Sequence, residues 1–302
     1  MKLVPWMAWA AVAAVLLVGC GGDSGSDTDT TRALPRLPRK VQITLDGRPG
    51  AENVGILMAE QRGYFDAAGL EVWVRTPASQ LRPVRYVADG EVDLSISHGP
   101  QVAIAREKGV PVVAIGSLIP RPTAAMVWLR KSGIDGIADL KGRRIAIPGL
   151  PFQRDLLQTV LAGAGLTLDD VRVVFSDYEL VPDLIGGRAD AIFGGSWNLE
   201  GRELQVRGLK PVITRVQDLG IPPYEELVLI ARPRRLARDP QLFRDFTAAV
   251  ARGTAAAIED PRAAVTAIER TPGANLDLSR KAVEAEVEAT LPLLSRSIAA
   301  GS

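Results

Sequence analysis

From Val41 onward, short apolar runs alternate with stretches of helical periodicity. Val41–Leu45 alternates apolar and polar side chains with a period of two, which predicts a strand. The pattern then predicts a helix over Asn53–Arg62, ended by Gly63, and a strand over Leu70–Val74. A helix over Gln80–Ala88, ended by Asp89-Gly90, leads to a strand over Val92–Ile96. Gln101–Glu107 predicts a helix and Val112–Ile115 a strand. Strand–helix alternation of this kind implies βαβ units and a mostly parallel sheet.

The pattern then restarts. Ala124–Leu129 is an apolar run, Arg143–Ile147 a strand and Phe152–Ala162 a helix. Val171–Phe175 is a strand, Pro182–Ile185 a short helix, and Ala191–Phe193 and Val212–Thr214 are strands. The halves share punctuation: Ala68-Gly69-Leu70 matches Ala164-Gly165-Leu166, and Gly90-Glu91-Val92-Asp93-Leu94 matches Gly187-Arg188-Ala189-Asp190-Ala191. Two copies of one α/β unit account for this economically. After a further apolar strand at Glu226–Ala231, Pro240–Ile258, Pro261–Glu269 and Ser279–Thr290 predict helices. Asp260 before Pro261 is a good N-cap with Pro at the first helical position. These C-terminal helices are read as packing elements that carry no chemistry.

The first forty residues differ in kind. Lys2 precedes the uncharged apolar run Leu3–Val18, too short for the roughly 20 residues of a spanning helix. It has the form of a signal-peptide core. It ends in Leu17-Val18-Gly19-Cys20, which resembles the bacterial lipobox, with Cys20 as the lipid attachment site. Residues 1–20 are thus read as a lipoprotein signal peptide. Residues 21–39, small and polar and then Pro- and Arg-containing, are read as a flexible tether. The expected place is the extracytoplasmic face of a cell membrane, held by lipid.

Composition narrows the chemistry. In 302 residues with a formal net charge of +1 there is no electrostatic footprint for nucleic acid. One Cys and one His exclude an internal disulfide, a Cys-rich zinc site and a His-based metal cluster. No metal or other cofactor is expected, and a single His offers no Ser/His/Asp or Cys/His catalytic set.

Ala59-Glu60-Gln61-Arg62-Gly63-Tyr64-Phe65 with Gly69-Leu70-Glu71-Val72 resembles the opening of bacterial solute-binding proteins of ABC importers. Further segments bring the chain close to the thiamine-precursor (NMT1/THI5-like) branch. They are Ser97-His98-Gly99-Pro100-Gln101, the stretch 134–142, Tyr178–Pro182, Asp190–Glu200 and Gly220–Leu229. The resemblance covers most of 41–231. It implies a periplasmic-binding-protein-like (type II) fold of two α/β lobes joined by two crossing strands, with a ligand cleft between them. Mapped here, residues 40–123 plus 232–302 form lobe 1, residues 130–225 lobe 2, and 124–129 and 226–231 the crossing strands. It further implies an amino-substituted pyrimidine or similar heterocycle as ligand, permease subunits as membrane partners, and a Glu at the position of Glu200 that binds the pyrimidine. A monomer is expected.

Open parallel sheets bind ligands beyond the carboxyl ends of their strands. Four loops occupy such ends, and they supply the candidate residues: Asp46, Arg48 and Asn53; Ser97, His98 and Gly99; Gly149, Phe152 and Gln153; Trp197, Asn198 and Glu200. A carboxylate at Glu200 suits an exocyclic amine, and Trp197 suits the face of a flat ring. Both also have structural readings, Glu200 as a solvated or capping residue of a helix starting near Asn198 and Trp197 as core. His98 is open between core and ligand contact, Asn53 between ligand contact and N-cap, and Arg48 between anion contact and solvated side chain. One departure stands out: where the branch has Trp-Thr-Pro-Asn, this chain has Gly47-Arg48-Pro49-Gly50. An aromatic wall is missing there unless Trp197, Phe152 or Tyr178 replaces it.

The main expectation is therefore a binding component, not an enzyme. Riboflavin, an alkanesulfonate or a nitrate-like anion are the alternative solutes. A pyrimidine synthase is the enzyme alternative: eukaryotic relatives, by the same resemblance, use bound pyridoxal phosphate, their own His and a Cys-rich iron motif, whereas this chain has one Cys and an export signal. A lipoprotein that binds another protein is the third class, and it would show an apolar surface patch.

Overall fold

The computed structural model describes residues 37–176, 179–274 and 277–298. Cys20, most of the tether and Tyr178 lie outside them. Ten strands form two five-stranded sheets. The first contains β1 (Arg39–Thr44), β2 (Leu70–Arg75), β3 (Leu94–His98) and β4 (Val113–Ile119). The second contains β5 (Ala124–Leu129), β6 (Arg144–Ile147), β7 (Arg172–Phe175), β8 (Ala191–Ser196) and β9 (Pro211–Arg215). The last strand, β10 (Leu227–Ala231), returns to the first sheet.

The strand orders are β2-β1-β3-β10-β4 and β7-β6-β8-β5-β9. In each sheet three parallel strands are followed by one antiparallel strand, β10 or β5, inserted before the edge. Both inserted strands are buried along their whole length. Their near-continuous apolar sequences, Ala-Ala-Met-Val-Trp-Leu and Leu-Val-Leu-Ile-Ala, reflect cover on both faces. The repeat seen in the sequence has a structural counterpart. Asp93 accepts a hydrogen bond from the Gln42 N–H at 3.0 Å. Asp190 does the same for Arg144 at 2.9 Å. In each lobe this aspartate ties the start of the third parallel strand to the first.

The strands expected to cross between lobes do not cross. Residues 124–129 belong wholly to the second sheet and 227–231 to the first. The chain passes between lobes in the segments just before them, 120–123 and 216–226. Apolarity marked the most deeply buried strands, and the connections themselves are the Pro-rich residues beside them.

Helices cover both sheets. Val54–Gln61 crosses the long helix Pro240–Glu259 with backbones nearly touching. A β-carbon on Gly253 would lie 2.0 Å from the Gly55 carbonyl oxygen. Phe243, Phe246 and Val250 complete the first lobe's core beneath them. The predicted Gln80–Ala88 helix begins at Pro83, whose ring fixes the first helical position. Two short helices were not predicted, Tyr64–Ala67 and Pro233–Arg238, and the helix considered from near Asn198 runs over Glu200–Val206. Among the described residues no helix is long and apolar enough to cross a membrane.

Candidate functional site

Where strand ends of the two sheets meet, the chain encloses a cavity of about 230 Å³. The first lobe lines it with the loop Asp46–Asn53 after β1, with His98 at the end of β3, and with Glu286. The second lobe contributes Pro148 after β6, Gln153 and the segment Gly194–Ser196 of β8 with Leu199, Glu200, Glu203 and Arg207 beyond it. Glu286 arrives on helix Arg280–Thr290, which packs against both Glu200–Val206 of the second lobe and Ala51–Asn53 of the first.

Carboxyl groups dominate this lining. Asp46, Glu52, Glu179, Glu200, Glu203, Asp277 and Glu286 are accompanied by the guanidinium groups of Arg48 and Arg207. Arg207 is engaged with Glu203 at 2.7 Å, and Arg48 lies 3.9 Å from Glu179. Burial pushes the Glu52 carboxyl up to about 8, helped by the charges of Asp46 and Glu226. Burial raises Glu200 to about 7 against the pull of the Ser196 N–H, which donates to its Oε2 at 2.6 Å. Burial raises Glu286 to about 8, with Glu200, Glu203 and Glu52 adding to the effect. Gln153 is 4% exposed; its Nε2 donates to the Gly194 carbonyl at 3.1 Å, and its buried Oε1 has no partner.

Behind the cavity, the two crossing segments are tied by Gln217, which donates to the Pro122 carbonyl at 3.2 Å, and by Glu226. Glu226, 4% exposed, ends the second segment. Its Oε2 accepts from the Thr123 N–H at 2.6 Å, and its Oε1 lies 3.0 Å from His98 Nδ1. For Glu226, burial opposes ionisation, but His98 and the N–H groups of Thr123 and Ala124 outweigh it and hold the carboxyl below its ordinary value. For His98, burial disfavours the imidazolium, and Glu226, Asp46 and Glu52 reverse this and raise it. The pair is ionic. The Thr123 hydroxyl lies 3.0 Å from Ser196 Oγ and 3.4 Å from Glu52 Oε1. Thr123 therefore links Glu226, the Glu52 side of the cavity and, through Ser196, the Glu200 side.

Of the twelve residues expected at the site, the structure brings Asp46, Arg48, Asn53, His98, Gln153 and Glu200 to the cavity. Asn53 stands at the start of its helix without capping it: Oδ1 accepts from the Gly50 N–H and Nδ2 donates to Asp46. The other six lie off the lining. Ser97 is buried and donates to Gln101. Gly99 is pressed against the second crossing segment, where its N–H donates to the Glu225 carbonyl. Gly149 sits between the lining residue Pro148 and buried Leu150. Phe152 is buried with its ring 5.5 Å from that of His98. Trp197 points to another surface hollow, with Arg215 stacked at 4.0 Å, so it supplies no wall here. Asn198 is fully buried and donates to Glu52 and Thr290. None of the described side chains lining the cavity is a Phe, Tyr or Trp.

Sequence reasoning missed Glu52, Glu203, Glu226 and Glu286. Glu52 lay one residue from a chosen candidate, and the turn Ala51–Asn53 carries it to the cavity. Glu286 had a signal: it falls at helical spacing between Val283 and Ala289 on a buried face. A carboxyl in such a position needs a reason.

Residues 51–264 match the model of the family described as NMT1/THI5 like. A relative from Haemophilus influenzae, whose name assigns it to thiamine biosynthesis, is 34% identical over 199 residues, covering 66% of this chain and 63% of its own. The chain thus spans slightly under two thirds of that relative. The formylaminopyrimidine-binding protein of Halalkalibacterium halodurans is 30% identical over 228 residues, covering 76% of this chain and 69% of its own. The 4-amino-5-hydroxymethyl-2-methylpyrimidine phosphate synthase of Schizosaccharomyces pombe is 26% identical over 68% of this chain and 62% of its own. Among solved structures, the alkanesulfonate-binding protein SsuA of Xanthomonas axonopodis superposes with a TM-score of 0.67 at 17% identity, covering 86% of each chain. That likeness establishes the fold.

Proposed function

Because the chain belongs to the NMT1/THI5-like family, we propose that it is the extracytoplasmic solute-binding component of an ABC importer, with an aminopyrimidine thiamine precursor as its solute. The observation that carries this reading is the sign of the cleft. Two lining side chains are hydrogen-bond acceptors, the Glu200 carboxyl and the buried, partnerless Gln153 Oε1. An amine-bearing heterocycle supplies the matching donors, and hydrogen bonds to a charged acceptor are the stronger kind. A sulfonate or nitrate would instead be desolvated beside carboxylates, which is unfavourable by several kcal/mol or more.

The same sign bears on the enzyme alternative. A phosphate-bearing cofactor needs a cationic or N–H-lined cradle; among the described residues no lysine lines this cavity, and its two arginines, Arg48 and Arg207, stand beside the carboxylates Glu179 and Glu203. The residues present do not fit pyridoxal phosphate, and the binding role is preferred to catalysis. Transport follows from hinge motion: solute bound by both lobes stabilises the closed form, which then docks on permease subunits. Cys20, by its sequence context, carries the lipid that holds the protein at the outer face of the membrane. A Cys20→Ser variant that still incorporates labelled fatty acid would refute that assignment.

Thermal melting against a panel tests the solute. The panel is 4-amino-5-hydroxymethyl-2-methylpyrimidine, its formylamino relative, thiamine, riboflavin, an alkanesulfonate, nitrate and amino acids. A solute at 100 times its Kd stabilises by about 2.7 kcal/mol. The expected result is a shift with an aminopyrimidine that Glu200→Ala abolishes. A shift with the sulfonate or nitrate alone would discard the aminopyrimidine and keep the importer role.

A further inference from the structure

We propose, resting on the aminopyrimidine reading above, that Glu286 is a specificity-determining residue. It and Glu200 form a carboxyl–carboxylate pair that reads the N=C–NH2 edge of the ring. Glu200 accepts from the exocyclic amine, and Glu286, which keeps the proton, donates to the adjacent ring nitrogen.

Glu286 lies beyond residues 51–264, the stretch matched by the family model, on a helix that the sequence presents as packing. It is 6% exposed and lines the cavity. No hydrogen bond to it is formed among the described residues, and what acts on it is burial and the charges of Glu200, Glu203 and Glu52. Each guanidinium on the cavity has a carboxylate beside it, Arg207 with Glu203 and Arg48 near Glu179. On its own helix, Arg280 is engaged with Glu269 and Glu284. A buried carboxyl facing carboxylates, with no cation to answer it, keeps its proton.

The two members of the pair are not equivalent. Glu200 receives the Ser196 N–H at 2.6 Å, which favours its ionised form. Glu286 receives no such donor, so of the two it is the one that holds a proton. One acceptor and one donor then stand on opposite lobes across the same cavity. The edge of a 4-aminopyrimidine presents the complement, an amine donor beside a ring-nitrogen acceptor. Gln153 Oε1, buried and without a partner, independently marks the cavity as built for a donor-bearing solute. A 4-oxo pyrimidine inverts both groups of the edge and is rejected by the same pair.

Isothermal titration calorimetry on the purified full chain tests this. The probes are 4-amino-5-hydroxymethyl-2-methylpyrimidine and its 4-oxo counterpart, titrated into wild type, Glu286→Gln and Glu286→Ala. The expected pattern has three parts. Glu286→Ala weakens the amino compound about tenfold or more and narrows its preference over the oxo compound, as loss of a buried donor does. Glu286→Gln, whose amide still donates, stays within about threefold at pH 7. Wild-type affinity falls between pH 7 and 9 as Glu286 loses its proton near pH 8, while Glu286→Gln shows no such fall. The proposal is overturned if the Ala variant binds the amino compound as wild type does, or if wild type and Gln variant share one pH profile. Should the Ala variant fail to melt cooperatively, the Gln profile decides. Wild type that binds neither pyrimidine overturns the aminopyrimidine reading itself, and this proposal with it, which is a different outcome from wild type that binds and a variant that does not care.

Discussion

Removing the Glu226 carboxylate should destabilise the protein more than any other single polar change. The residue is buried, accepts the Thr123 N–H at 2.6 Å, and faces His98 at 3.0 Å. Deleting one member of a buried ion pair costs about 3–5 kcal/mol, because the partner is left uncompensated. Glu226→Ala also orphans the Thr123 N–H. For a protein of this size the melting temperature should drop on the order of 10 °C. Glu226→Gln keeps an acceptor for Thr123 and loses only the charge, so about half that loss is expected. The pH dependence gives a sharper test. The Glu226 carboxyl is held below its ordinary 4.5, so its contribution is present above that value and lost as the pH falls. His98 is raised above 6.5, so its contribution is full below 6.5 and lost as the pH rises through the folded value. The gap between wild type and Glu226→Gln should therefore be widest near pH 4.5–6.5 and narrow on either side. Urea unfolding at pH 4, 5.5, 7 and 9 measures it. A gap under about 1 kcal/mol, or one that is flat across that range, would refute the ionic pair.

Other outcomes follow from the same geometry. Thr123→Val removes the hydroxyl between Ser196 and Glu52 while keeping the backbone bond to Glu226. Affinity for the aminopyrimidine should fall several-fold with stability changed by about 1 kcal/mol, and equal affinity in calorimetry would deny the link. Gly253→Ala forces a β-carbon to within 2.0 Å of the Gly55 carbonyl. It should cost roughly 3 kcal/mol through helix displacement, and a melting point unchanged within 2 °C, on the order of half a kcal/mol, would contradict the close crossing. The solute-free protein should lose stability from pH 5 to pH 8, because Glu52 and Glu286 titrate near 8 when folded and at their ordinary 4.5 when unfolded. Glu52→Gln should flatten that slope, and a stability that rises over the range would mean the carboxyls are ionised in the fold.

The sequence made the repeated α/β unit legible because period-two runs, helix-closing glycines and the strand-opening Asp93 and Asp190 are local signals. The crossing segments were not legible in the same way. Burial on both faces made 124–129 and 226–231 conspicuous, whereas the connecting residues 120–123 carry no periodicity. For the site, loop position after β1, β3, β6 and β8 was enough to find Asp46, His98, Gln153 and Glu200. It misplaced Trp197, since adjacent residues on a turn diverge: Glu200 faces the cavity while Trp197 stacks with Arg215 on another surface. Glu286 is distant in sequence from every strand end, and only the packing of its helix between the lobes brings it to the cavity. Glu226 was assigned to a strand, and nothing short of the fold shows that its partners are His98 and Thr123.

The inserted position of β10 has a consequence for the order in which the molecule is completed. β3 and β4 flank a slot that residues 227–231 fill, and these arrive after the entire second sheet has been made. The first core also waits for Phe243, Phe246 and Val250. The half of the molecule that is synthesised first is thus finished last, while the second lobe, continuous from 124 to 215, contains every strand it needs. A chain growing from its N-terminus carries an unfinished first half until nearly its last turn of helix, with long-range pairings that form slowly.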